Sequence, residues 1–301
     1  MKNKPVYILH LNEIDRGMEA VVGGKAASLG ALSRIKNIRV PDGFCITTRA
    51  FQKIIDETQD LHPLLHRLSG LKISDRDIII SLTQEIRTII ENVSVPDDIV
   101  KEIERAISCF GIHSAFAIRS SATAEDLPEA SFAGQQGSFL NISGREKIFQ
   151  HIRKCWASLF SERATLYRIQ NSFDHQRVQL AVIVQQMIFA EAAGILFTAD
   201  PLNFNRTIIS VDAGFGLGEA LVSGLVNPDT YKVKKGKIIE KKISLKTMAI
   251  LPQSEGGISH QTIHPKQQQD AVLNDQQILE LEQIGRENES HFGLPQDIEW
   301  C

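Results

Sequence analysis

Apolar side chains recur at helical spacing in four stretches of the first 110 residues: about Lys25 to Ile35, Thr48 to Asp56, Asp75 to Ile90 and Asp97 to Phe110. This third of the chain therefore reads as mainly helical, with Thr48, Asp75 and Asp97 as starts and Gly70 and Gly111 as stops. The period then shortens. Ala115 to Arg119 and Gly137 to Ile142 read as strands, a long helix is predicted from about Arg145 to Gln170, and strands follow at Val178 to Gln186, Gly194 to Thr198 and Thr207 to Asp212. A hairpin from Tyr231 to Lys241 turns at Gly236. The stretch from Pro252 to Gln268 is polar and glycine-containing and reads as an exposed connection; a helix from Gln269 to His291 and a strand from Gln296 to Cys301 close the pattern. That strand ends the chain with nothing after it to pair with, which leads to the expectation that the natural protein continues.

Composition narrows the classes. Thirty-three Lys and Arg against 36 Asp and Glu give a net charge of −3. The two signs are intermixed, which supports neither a nucleic-acid nor a membrane-surface partner. Cys45, Cys109, Cys155 and Cys301 form no CxxC or other metal spacing and read as reduced thiols. The N-terminus MKNKPVYILHLNEID alternates apolar and polar like a strand and carries no long apolar run. A reducing cytoplasm is the expected location.

Chemistry concentrates in residues 118–136, IRSSATAEDLPEASFAGQQ. Arg119 ends an apolar strand, so a rigid fork of donors suited to bidentate phosphate contact emerges at a sheet edge. Ser120, Ser121 and Thr123 supply hydroxyls, Gly134 permits close backbone approach, and Gln135, Gln136 and Ser138 extend the donor set. The alternative is an ordinary polar loop with Arg119 paired to Glu125 or Asp126. Upstream, VVGGKAASLG sets Lys25 behind two glycines at a helix mouth, a place that favours anions. Lys25 is followed by Ala26, so this is not the Walker A pattern. Gln185, at the end of the apolar strand AVIVQQM, and Met187 mark a possible purine slot. Asp297 and Glu299 alternate on one strand, share a face, and suit magnesium. ATP with Mg2+ is the ligand these residue types fit together.

Two motifs point elsewhere. The run IISVDAGFGLGEALVSGL has strand, GxGxG and helix, but Glu219 stands where a third glycine is needed and no βαβ succession surrounds it. A nicotinamide-binding dehydrogenase would rest on Gly214 to Gly218 alone. GGISH at Gly256 to His260 lies in the polar connection, and His260 reads as a solvated histidine rather than a phosphate acceptor.

GGKAASLG, VPDGF, IRSSATAEDLPEASFAGQQ, CWASLFSERATLYR and QDIEW together resemble the N-terminal ATP-binding domain of the dikinases, the family of phosphoenolpyruvate synthase, pyruvate phosphate dikinase and rifampicin phosphotransferase. The resemblance covers nearly the whole chain. VPDGFCITTRAF, GILFTADP and DAGFGLGEALVSGLVNPDTY look closer to its rifampicin-modifying branch than to its pyruvate-using one. The resemblance implies an α+β, ATP-grasp fold of two subdomains, 1–186 and 187–301, with ATP between them and the last strand cut short. Carried over by motif, Lys25 and Arg119 hold phosphates and act in catalysis, and Gly134 and Ser138 belong to the phosphate loop. Gln185 lies in the adenine region, and Glu299, with Asp297 beside it, binds magnesium. It further implies partners on the same polypeptide: a histidine-bearing swivelling domain and an acceptor domain. The acceptor is rifampicin, or in second place pyruvate, with AMP and phosphate as by-products. The mobile histidine loop and the Gln-x-Arg strand that follows EW in this family are not in this sequence. A non-catalytic ATP sensor is the reading from another class.

Overall fold

Strand-forming runs of the first half collect into one antiparallel sheet flanked by helices. The computed structural model describes residues 5–301 apart from 112–113, 124–125, 128–129, 132–136, 172 and 176–177. It divides into two compact units, Met1–Met187 and Ile188–Cys301. Both mix helix with sheet, an α+β composition.

In chain order the first unit holds β1 (Ile8–His10), α1 (Glu19–Leu32), β2 (Gly43–Ile46), α2 (Thr48–Glu57), α3 (Leu61–Ser69), α4 (Arg76–Asn92) and α5 (Asp97–Ser108). It continues with β3 (Phe116–Ala122), the two-residue strands β4 (Asp126–Leu127) and β5 (Ala130–Ser131), β6 (Ser138–Ile142), α6 (Arg145–Ser158), α7 (Glu162–Gln170) and β7 (Leu180–Gln186). The main sheet runs β1-β2-β7-β3-β6. Central β7 is buried over its first six residues because both faces of the sheet are covered. On one face Phe44, Ile46, Phe116, Ile118, Val182 and Val184 pack into the large core built with α2 to α6. On the other, Cys45, Ala181 and Ile183 pack beneath α1 through Val22, Ala26 and Ala27.

In the second unit come β8 (Ala192–Phe197), β9 (Ile209–Phe215), the single turn α8 (Glu219–Val222), β10 (Asp229–Lys234), β11 (Lys237–Lys242), β12 (Met248–Pro252), β13 (Ile258–Thr262), α9 (Asp275–Phe292) and β14 (Asp297–Trp300). The sheet order is β11-β10-β9-β8-β14, all antiparallel. One face packs Leu196, Ile209, Val211, Tyr231 and Val233 against α9 through Ile278, with Ile298 and Trp300 alongside. Helix α9 starts at a reciprocal cap, where Gln277 N–H donates to Asn274 Oδ1 at 2.9 Å and Asn274 N–H to Gln277 Oε1 at 3.0 Å.

Three sequence expectations need correction. The single helix expected over 145–170 is two, because Ser161 accepts the Ala164 N–H at 3.2 Å and starts α7 afresh, while Leu159 and Phe160 at the break are buried. The polar connection from Pro252 to Gln268 contains half of a hairpin, β12 paired to β13, that turns through Gly256 and Gly257, both at positive φ. The expectation for the first 110 residues left out α3 and β2. The β10–β11 hairpin does turn at Gly236, with Lys235 and Gly236 both at positive φ (52° and 72°). After β9, GFGLG runs into one turn of helix between antiparallel strands, so no βαβ unit exists here to hold a dinucleotide. His260 is exposed on β13 opposite Ile250. No helix among the described residues is long and apolar enough to cross a membrane.

Candidate functional site

Helix α1 is not continuous. At Gly23 the backbone takes φ 76° and ψ 167°, a conformation open essentially only to glycine, and the helix resumes at Gly24. Lys25 is thus the second residue of a fresh helical segment, and the mouth of that segment rests on β3. A Cβ on Gly23 would fall 2.3 Å from the Ser121 carbonyl oxygen and 2.4 Å from its Oγ. The Ser121 hydroxyl in turn accepts the Ala26 N–H at 3.1 Å. The Lys25 side chain is half-buried.

Pairing fixes which side of the sheet each residue faces, since partners across a ladder point to the same face. Arg119 lies opposite Ile183 on β7 and Ser138 on β6, Ser121 opposite Ala181, and Gln185 opposite Ala117 and Gly43. Ile183 and Ala181 belong to the core under α1. Arg119, Ser121, Ser138 and Gln185 therefore all project to the face that α1 covers. Ser138 is exposed and Arg119 half-buried, and the Arg119 guanidinium makes no hydrogen bond among the described residues. Lys25, Arg119 and Ser138 thus belong to one face of one unit.

The other hydroxyls do not join them. Ser120 Oγ donates to the Gly137 carbonyl at 3.1 Å from the opposite face, and Ser121 is fully buried as described. Thr123 exchanges hydrogen bonds with the Gln179 backbone. The expectation that these three present hydroxyls to a polyphosphate fails because β3 runs on to Ala122, and alternation inside a covered sheet buries both serines. Gln185 is buried and its Nε2 donates to the Pro41 carbonyl at 3.0 Å. The next two amides tie the strand end down as well, Gln186 N–H to Asp42 and Met187 N–H to Ala115. Gly134, Gln135 and Gln136 lie outside the described residues, as do the side chains of Glu125 and Asp126.

In the second unit, Asp297 and Glu299 stand on edge strand β14 opposite Phe197 and Ile195. Both are exposed, and they share the face turned away from α9. Trp300, on the opposite face, packs against Gly194, where a Cβ would meet the indole Cζ2 at 2.5 Å. That close approach locks the register carrying the two carboxylates. Partial desolvation, and then the charge of Glu299, raise the Asp297 carboxyl above its ordinary value. Sequence reasoning missed Asp212. It sits across Ile195 from Glu299 on that same face, with Thr230 Oγ1 donating to it at 3.0 Å, and desolvation raises its carboxyl too. Alternation along β9 was the signal available. Among the described residues no group of three or more His, Cys, Asp or Glu side chains forms a metal cage.

Residues 19–301 match the family model described as pyruvate phosphate dikinase, AMP/ATP-binding domain. The chain belongs to that family. A rifampicin phosphotransferase of Bacillus subtilis is 55% identical over 98% of this chain and 34% of its own length. A second, from Bacillus cereus, is 52% identical over the same shares. A probable phosphoenolpyruvate synthase of Methanocaldococcus jannaschii is 39% identical over 98% of this chain and 25% of its own. The chain thus spans about a third of the rifampicin phosphotransferases it matches. Membership makes it an AMP/ATP-binding domain, the ligand class read from its loop.

Proposed function

We propose that this chain is the nucleotide-binding part of a dikinase-type phosphotransferase with an ATP-grasp fold, binding Mg-ATP and passing a phosphoryl group to a histidine on a separate domain. The observation that carries this reading is the match over residues 19–301, reinforced by relatives above 50% identity named for rifampicin phosphorylation. Lys25 and Arg119, on one face of the first sheet, neutralise phosphate charge; Ser138, opposite Arg119, adds a hydroxyl. Gln185 serves the adenine region by holding the Pro41 backbone in place, and Gly134 lies in the phosphate loop. Asp297 and Glu299 hold magnesium, which offsets their mutual repulsion and supplies charge neutralisation to the phosphates. Phosphoryl transfer needs positioning and electrostatic stabilisation rather than a protein nucleophile in this domain.

The final acceptor is a hydroxyl of rifampicin, with AMP and phosphate as the other products. The 39% relative named as a phosphoenolpyruvate synthase favours pyruvate as the second reading. Full-length protein given ATP with either compound decides between them. Rifampicin-dependent AMP release is expected; pyruvate-dependent release would reassign the acceptor. Tight ATP binding with no turnover on either would favour the sensor. Arg119→Ala is expected to lower histidine phosphorylation at least about a hundredfold while the fold survives, and near-normal phosphorylation would contradict its role. Glu299→Ala should abolish the dependence of ATP affinity on magnesium, and an unaltered magnesium titration would count against the metal site.

A further inference from the structure

We propose that Ser121 is a positioning residue that sets Lys25 relative to Arg119; the inference rests on the reading above, in which both cations hold phosphate. A helix normally draws its cap from the side chain of the residue just before it, which accepts the N–H of the third helical residue. Here that residue is Gly23, which has no side chain, and the third residue is Ala26. The missing oxygen comes instead from a strand 95 residues away in sequence, for Ser121 Oγ accepts the Ala26 N–H at 3.1 Å. It lies 2.4 Å from where a Gly23 Cβ would be, the region a local capping side chain would occupy. Glycine at 23 and serine at 121 are two halves of one cap.

That cap joins the two cations. Ser121 is two residues beyond Arg119 on β3, so both project to the α1 face. Lys25 lies between the residue Ser121 touches through the bond to Ala26 and the glycine it presses on. One buried hydroxyl therefore fixes the start of the resumed helix, and with it Lys25, at a set height above Arg119. Ser121 is fully buried and touches no ligand itself; its influence passes through the lysine.

Mg-ATP and adenosine binding to this chain, measured by calorimetry in a cycle of parent, Ser121→Ala, Lys25→Ala and the double variant, separates this role from a merely structural one. Ser121→Ala is expected to weaken ATP binding about five- to tenfold, within the range of a lost cap. Adenosine, which has no phosphate, should change less than about twofold, and with Lys25 already removed the serine should no longer matter for ATP, as coupled residues require. Equal weakening of ATP and adenosine, no weakening of ATP, or an unchanged effect of Ser121→Ala without Lys25, would overturn the positioning role while leaving the nucleotide reading intact. A parent chain that does not bind ATP, or a Lys25→Ala variant that binds it normally, would overturn the underlying reading and the inference with it. Ser121→Cys keeps the volume and a weak acceptor, and should fall between serine and alanine; it carries the same cycle if Ser121→Ala proves unfolded.

Discussion

Gly23→Ala tests the hinge of α1 most directly. At φ 76° and ψ 167° an alanine carries a backbone cost of about 1–3 kcal/mol. Its Cβ would meet three Ser121 atoms at 2.3, 2.4 and 2.5 Å, two of them backbone, and overpacking of this kind costs about 1–3 kcal/mol. Relief requires α1 to lift from β3, which gives up the Ser121 cap, so the terms overlap rather than sum. Against them stands the lower chain entropy of alanine in the unfolded state, about 0.4–1 kcal/mol. The net expectation is a loss of about 1–4 kcal/mol from the first unit. The chain has two tryptophans. Trp156 is fully buried in α6 of the first unit and Trp300 lies on β14 of the second, so urea unfolding in a Trp300→Phe background reads the first unit alone. Gly17→Ala is the control: φ is 94° but nothing lies within 4 Å of its Cβ, so it should show the dihedral cost without the clash. If Gly23→Ala unfolds at the parent midpoint, or costs no more than Gly17→Ala, the close approach of α1 to β3 is not as described.

Asp229 is fully buried and accepts four hydrogen bonds, from Lys246 Nζ at 2.5 Å, the Ser244 and Val272 amides at 2.9 Å each, and Tyr231 OH at 3.1 Å. Asp229→Ala leaves the Lys246 ammonium buried without its carboxylate and should destabilise the second unit by about 3–5 kcal/mol, read as Trp300 emission during urea unfolding; Lys246→Met in the same chain should recover part of the loss, and no recovery would refute the pairing. In the first unit, desolvation and then the charge of buried Arg168, which donates to His175 Nδ1 at 2.9 Å, push the His175 imidazole down to about 4. The unfolded state binds the extra proton between about 6.5 and 4, so stability is full above that window and falls by up to about 3 kcal/mol as pH drops through it. His175→Asn, which keeps an acceptor, should flatten this dependence; an equally steep fall in the variant would assign it to other groups.

Much of the molecule was legible from its order of residues. Helical spacing in α2, α4 and α5 and the Lys-Gly turn of the β10–β11 hairpin are local properties, and local chemistry carries them into the structure unchanged. Errors arose where tertiary contacts overrode local character. Ser161 looks interior to a long amphipathic run until its hydroxyl is seen capping α7. The residues of β13, ISHQT, read as part of a polar loop because a strand so largely solvated carries little apolar signal. Residues 120, 121 and 123 were the larger misjudgement. A Ser-Ser-x-Thr run beside an arginine has the composition of a phosphate loop, yet burial depends on how far the strand extends and on what covers it.

By itself, then, the sequence determined most element types, the family and the ligand class, because periodicity, glycine spacing and charged-residue identity are written along the chain. Only the tertiary structure decided that Lys25, Arg119 and Ser138 share one face, that Asp212 joins the face of Asp297 and Glu299, and that Ser121 faces inward to cap α1. Those relations depend on strand register and on which helix covers which side of a sheet. Both are set by pairing and packing between separate segments, which alternation along a single strand does not specify.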